Sequence, residues 1–198
     1  MARRRFLELS DAGGDSRRTP RSSVEPQGSL EFLESFQCGR WLAPRRRRPV
    51  VKIDAPAPLE DLPWSFKVPV VSERLRTFLE NEAPGNAQFF EARIVGPKRL
   101  LPKEPYYLVN WLHVVDCIDL DKSEWDDQDP PTGDPAQYDY WRIVVDPSRV
   151  PADVFVFRLK YFHVTIVIDQ RLAQKIRKQG FTGPQFYDLS RSIFDEMR

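Results

Sequence analysis

Two stretches of this chain, 97 residues apart, spell out the same local structure, and any fold must accommodate both. Val70-Val71-Ser72-Glu73-Arg74-Leu75 aligns with Val167-Ile168-Asp169-Gln170-Arg171-Leu172. The same offset sets Leu79 on Ile176 and Gln88-Phe89-Phe90-Glu91 on Gln185-Phe186-Tyr187-Asp188. Ser72 and Asp169 place short oxygen acceptors where the first free N–H groups of a helix need one. Val71, Leu75, Phe78 and Leu79 recur at helical spacing in one copy, and Leu172, Ala173 and Ile176 do so in the other. Pro84-Gly85 ends the first helix and Gly180 the second. Each copy therefore reads as a strand end, a capped helix, a loop and an aromatic strand. The match fits two related halves of a pseudo-symmetric core, and it also fits two unrelated units that share common local grammar. Either way the predicted class is α+β, a mixed, largely antiparallel sheet with a few packed helices.

Around these units the pattern is that of strands. Phe90, Ala92 and Ile94 alternate with Glu91 and Arg93, which marks a half-buried strand. Residues 106–109 and 111–118 are apolar on both faces and predict a central strand or strand pair. Residues 140–145, 154–159 and 164–168 read as further strands. Nearer the N-terminus, 3–9 reads as a short strand, and 11–29, nearly all Gly, Ser, Pro and charge, as a loop or flexible arm. Residues 50–53 make another short strand, after which Pro56, Pro58 and Pro63 forbid regular structure until about Phe66. The expected division is a loosely structured arm with a short strand over residues 1–49 and a single α+β domain over residues 50–198.

The residue pattern carries none of the common catalytic signatures. The two histidines, His113 and His163, each sit inside an apolar strand pattern, and no nucleophile elbow, metalloprotease helix or deaminase zinc signature surrounds them. Gly13-Gly14 lacks the lysine and the strand–helix setting of a phosphate-binding loop. Cys38 and Cys117 are too few and too far apart for a zinc site or a disulfide framework, and both read as reduced thiols of a cytoplasmic protein. No run is long enough to span a membrane, and the basic residues at 3–5 have no apolar segment behind them. Read from Asp119, oxygen ligands fall at positions one, three and five of a calcium loop. Glu124 then stands where the turn needs Gly, and Pro130 where a bidentate Glu belongs. No catalytic residue, cofactor, metal or small-molecule substrate is expected.

Charge placement supplies the positive hint. Net charge is only +1, yet residues 116–139 hold nine acidic side chains against Lys122 alone. Asp116, Asp119, Asp121, Glu124, Asp126, Asp127 and Asp129, with Trp125 among them, form a candidate partner-binding segment, since aromatic anchors within a charged rim suit protein–protein contact. The opposite sign is concentrated in Arg45, Arg46, Arg47 and Arg48, which offer an alternative role as a nucleic-acid or anionic-surface adaptor. An enzyme with an unrecognised site is the third reading.

The order of motifs resembles a known family, the immunity proteins of bacterial polymorphic toxin systems, class eleven, of myxobacterial type. The resemblance runs from Phe6-Leu7-Glu8-Leu9 through Gly39-Arg40-Trp41-Leu42 and Val68-Pro69-Val70-Val71-Ser72. It continues in Tyr106-Tyr107-Leu108-Val109-Asn110, Val114-Val115-Asp116-Cys117-Ile118-Asp119 and Val145-Asp146-Pro147-Ser148-Arg149-Val150. Val156-Phe157-Arg158-Leu159 and Gly180-Phe181-Thr182-Gly183 close it. The arginine run, residues 11–38 and the tail from Ser190 depart from the pattern. The resemblance implies an α+β fold, no catalysis, and a single partner, a cognate toxin protein bound so that it cannot act.

Overall fold

The computed structural model describes residues 4–11, 23–44, 46–53, 58–63, 65, 68–125 and 140–189. The strands are β1 (Phe6–Asp11), β2 (Val24–Gln27), β3 (Val50–Ile53), β4 (Val70–Ser72), β5 (Ala87–Val95) and β6 (Tyr106–Trp111). They continue with β7 (Val114–Val115), β8 (Glu124–Trp125), β9 (Tyr140–Arg142), β10 (Val156–Leu159), β11 (Ile166–Asp169) and β12 (Pro184–Tyr187). The helices are α1 (Leu30–Ser35), α2 (Glu73–Glu82) and α3 (Gln170–Lys178). Two five-stranded sheets result, ordered β2-β3-β5-β6-β4 and β12-β1-β11-β10-β7, with β8 and β9 as a separate pair. Pairing is antiparallel except for β3 with β5 and β10 with β7, so the α+β class with mixed, largely antiparallel sheets is what the chain forms.

The 97-residue echo is a structural one. In the first sheet β4 and β5 flank β6, so β4-α2-β5 is a split unit with a third strand between its own two. In the second, β11 and β12 flank β1 in the same way. The registers coincide. Val70, Val71 and Ser72 lie opposite Leu108, Tyr107 and Tyr106, while Val167, Ile168 and Asp169 lie opposite Glu8, Leu7 and Phe6. Ala87 to Phe90 lie opposite Trp111 to Leu108, while Pro184 to Tyr187 lie opposite Asp11 to Glu8. The central strands thus correspond residue for residue, Tyr106 with Phe6 through to Trp111 with Asp11. Yet β6 follows its unit in the chain, whereas β1 precedes its own. The second unit has the cyclic order of the first, opened between its last two strands.

Both helix caps work as read. Ser72 accepts from the Leu75 N–H at 3.2 Å and Asp169 from the Arg171 N–H at 2.8 Å. The second residue of each helix is an arginine that serves the cap. Arg171 bonds Asp169 directly, and Arg74 holds Asp61, whose carboxylate accepts from Ser72 Oγ at 2.6 Å. The helices meet in the middle layer, where Leu75, Leu79, Leu172, Ala173 and Ile176 pack with Val109, Trp111, Val156 and Ile168 from the inner faces of both sheets. Lys175 of α3 pairs with Glu82 of α2 at 2.5 Å. Outside the first sheet, Phe32 of α1 and Phe36 at its C-cap cover Val51, Phe90 and Leu108; outside the second, Trp125, Ile143 and Val154 cover Phe157 and Val167. Both sheets are covered on both faces, which is why residues 106–109 and Trp111 are apolar, with Asn110 as the one polar residue of β6.

Several expectations need amending. The stretch 11–29, read as loop, holds β2 over Val24–Gln27, where only Val24 and Pro26 face inward, too short a run to show a period. The α1 helix has no readable period in the sequence, because a six-residue helix presents one apolar turn. Phe6, Leu9, Val24, Phe32 and Phe36, all from the segment set apart as an arm, are core residues. His163 lies in the turn between β10 and β11, exposed, and not in a strand; β11 starts later than residue 164, and Val164 is itself 74% exposed.

Asp61 ties the lead-in of β4 to the α3–β12 loop. Besides Ser72 it accepts from Arg74 Nη2 at 2.6 Å, the Thr182 N–H at 2.9 Å and Thr182 Oγ1 at 3.1 Å. Burial alone would raise its carboxyl, but the hydrogen bonds from Arg74, Ser72 and Thr182 together hold it below the ordinary carboxylate range. Asp169 is held down in the same sense by Arg171 and Arg4 against its burial. A depressed folded-state value means stability that is full above the unfolded value, about 3.9, and lost as pH falls through the folded one. Asp61→Asn is therefore expected to cost about 2 kcal/mol at neutral pH and to flatten the fall in melting temperature between about pH 4 and pH 2. Thermal scans across that range check it, and an unaltered acid limb would contradict it.

Candidate partner-binding surface

The acidic segment leaves the second sheet at β7 and is fixed by backbone before any charge is considered. Ile118 bridges Val145, the Asp119 N–H donates to Val144 O at 2.8 Å, and Asp146 N donates to Cys117 O at 2.7 Å. A turn over 119–123 is closed by Ser123, whose N–H and Oγ both donate to Asp119 O while its Oγ accepts from Val144 N.

The side chains then divide. Asp116 stands between Arg149 and Lys160, each at 3.0 Å. Asp119 is paired with Lys122 within the turn, and Glu124 with Arg142 at 2.5 Å. Asp121 is exposed and carries no ion pair among the described residues. Trp125 is buried to 3% exposure, with its indole N–H on Leu120 O at 3.2 Å and its ring 6.4 Å from that of Phe162. Asp126, Asp127 and Asp129 lie outside the described residues, as does Tyr138. The described part of the segment is thus a stapled turn, with Asp121 and Glu124 on its exposed side and Trp125 rooting it in the core.

Among the described residues no catalytic constellation accompanies it. His113 is half-buried in the link between β6 and β7, remote in the chain from the exposed His163. Burial pushes the Cys117 thiol up to about 12, so it stays protonated and unreactive at neutral pH. No group of three His, Cys, Asp or Glu among the described residues could hold a metal ion. Among those residues, too, no helix is long and apolar enough to cross a membrane.

The arginine run lies along the first sheet. Arg45 falls outside the described residues, while Arg46, Arg47 and Arg48 line an open groove of about 630 Å³ with Trp41 and Phe89. Acidic groups interrupt the groove: Glu91 pairs with Arg48 at 3.0 Å, and Glu80 with Arg76 at 3.0 Å. A phosphate backbone needs a cationic track, and this one is half neutralised.

One group stands apart from the predicted site residues. Arg158, inside the apolar strand β10, is 1% exposed and has no carboxylate partner among the described residues. Its signal was the single charge within Val156-Phe157-Arg158-Leu159.

Compared with known proteins, the chain matches the model of the Immunity protein family (Imm11) over residues 19–191. No curated protein matches it significantly. The match takes in α2, α3, the acidic segment and all strands except β1, and on that extent the chain belongs to the Imm11 immunity protein family.

Proposed function

We propose that this protein is a cytoplasmic immunity protein of a bacterial polymorphic toxin system, of myxobacterial type, that binds its cognate toxin domain and neutralises it by surface contact. The observation that carries the reading is the family match across nearly the whole chain. Members of this family are typically non-enzymatic. Co-expression with the toxin encoded beside it tests the reading: cells that survive the toxin only when this protein is made support it, and cells that die regardless refute it.

The surface we assign to the toxin is the acidic segment, with Asp116, Asp119, Asp121, Glu124, Asp126, Asp127 and Asp129 providing the field and Trp125 rooting the turn. Its own ion pairs, Asp116 with Arg149 and Lys160 above all, hold the turn in one conformation before binding, and preorganisation spares affinity. The charge that steers a basic partner then resides in Asp121 and in the acids from Asp126 onward. Replacing Asp126, Asp127 and Asp129 together by Asn should slow association about tenfold at low salt and flatten its salt dependence. Stopped-flow association at several ionic strengths measures this, and rates that match the parent protein at every salt would remove the assignment while leaving the immunity function standing. The groove beside Arg46, Arg47 and Arg48 is a weaker candidate, since Glu80 and Glu91 cancel much of its charge.

A further inference from the structure

Arg158 is the one basic side chain among the described residues that is buried, and it is buried incompletely satisfied. Nη1 donates to the His163 carbonyl, but Nε and Nη2 have no partner among the described residues. These two nitrogens share one edge of the planar guanidinium, the edge whose parallel N–H bonds match the two oxygens of a carboxylate. Arg158 lines a cavity of about 120 Å³ together with Trp111, Leu62, Ser65 and Ile166. The indole N–H of Trp111, itself 1% exposed, is also buried without a partner among the described residues. The Ser65 hydroxyl donates to Val68 O, and Glu8 also lines the cavity. Burial lowers the Arg158 pKa to about 10, which still leaves it charged at neutral pH. A buried cation with two free donors beside a third is unfavourable as it stands and is relieved by an anion.

We propose that this cavity is a carboxylate-binding site, in which Nε and Nη2 of Arg158 take the two carboxylate oxygens and the Trp111 N–H supplies a third hydrogen bond. Its volume suits a small planar group of the size of acetate. That group is either a free small carboxylic acid or the tip of an Asp or Glu side chain reaching in from a bound protein. The inference does not depend on the immunity reading.

The test uses the full chain, labelled with ¹⁵N, titrated with sodium acetate and separately with N-acetyl-glutamate methylamide, each against sodium chloride of equal ionic strength. Saturable shifts of the Trp111 indole and Arg158 Nε signals, absent with chloride, are expected. Acetate alone binding identifies a free acid; the blocked glutamate binding as tightly identifies a side chain. Trp111→Phe should weaken acetate binding about fivefold, the worth of one hydrogen bond. Arg158→Met, which removes an unpaired buried charge, should melt no lower than the parent in chloride and lose the rise in melting temperature that acetate gives the parent. Should Arg158→Met fail to fold, the parent titration and Trp111→Phe decide the matter. Shifts no larger than those with chloride for both probes, or undiminished acetate binding by Arg158→Met, overturn the proposal.

Discussion

Replacing Asn86 by alanine is expected to destabilise the protein by about 3–5 kcal/mol, the cost of stranding several buried polar groups at once. Asn86 is 2% exposed and sits in the turn between α2 and β5, and its amide is fully used. The Oδ1 atom accepts from the Phe155 and Val156 N–H groups at 2.6 and 3.0 Å, and Nδ2 donates to Asp153 O at 3.0 Å and Pro84 O at 3.2 Å. Its backbone is used as well, donating to Ala83 O and accepting from Leu112 N. The side chain therefore stitches the helix-to-strand turn of the first unit to the lead-in of β10 in the second sheet. Alanine leaves two N–H groups facing a void too small for good hydration. At about 2–4 °C per kcal/mol for a chain of this size, the melting temperature should fall by roughly 10 °C or more. Asn86→Asp separates geometry from shape: it keeps the acceptor but sets a carboxylate oxygen against two carbonyls. Burial and those carbonyls raise the pKa of the introduced carboxyl in the fold, so its stability should be best below about pH 4 and decline as pH rises. Calorimetry across pH reads both effects, and an alanine variant within about 1 kcal/mol of the parent would show that the bridge contributes little.

What the sequence made legible was local. Ser72 and Asp169 as caps, the apolar stripes of α2 and α3, and Gly180 at a helix end, with φ of 66°, depend on residues within one or two turns of each other. The offset of 97 could be seen for β4-α2-β5 against β11-α3-β12 because those elements keep their order. The strand that completes each unit was not recognisable, because β1 lies before its unit and β6 after. The acidic segment shows the same limit. Counting charges found it, but the groups that neutralise Asp116 lie 33 and 44 residues further along, and no window of sequence joins them. Trp125 had the composition of an exposed anchor and the position of a core residue. Only the packing of Phe162 and Leu120 decides between these.

The pairing registers also explain why the two units tolerate different residues at equivalent turns. Under the 97-residue shift Asn86 falls on Gly183. In the first unit the turn reaches the opposite sheet through a side chain; in the second, backbone meets backbone, leaving no room for one. The same architectural need, joining a helix-to-strand turn to a segment that leads into the other sheet, is met by an amide in one case and by glycine in the other.

Gly183→Ala should accordingly be the second severe substitution, costing more than about 3 kcal/mol. Gly183 has a φ of 97°, which L side chains rarely adopt, and a methyl group there would lie 2.0 Å from Leu62 O and 2.7 Å from its carbonyl carbon. That neighbour cannot swing aside. The Leu62 N–H donates to Thr182 O at 3.1 Å, Asp61 N donates to Thr182 Oγ1 at 3.1 Å, and the Asp61 carboxylate holds Thr182 in return. To admit the methyl group, residues 61–62 and 182–183 must part, breaking these bonds and loosening the Asp61 network that caps α2. Gly180 provides the control, since it has a φ of 66° in the same loop with nothing within 4 Å of an added Cβ. Gly180→Ala pays only for the left-handed backbone, about 1–2 kcal/mol. Equilibrium urea unfolding of the two variants isolates the close approach as the difference between them. Equal losses would mean that backbone strain alone, and not the contact with Leu62, is what glycine relieves at residue 183.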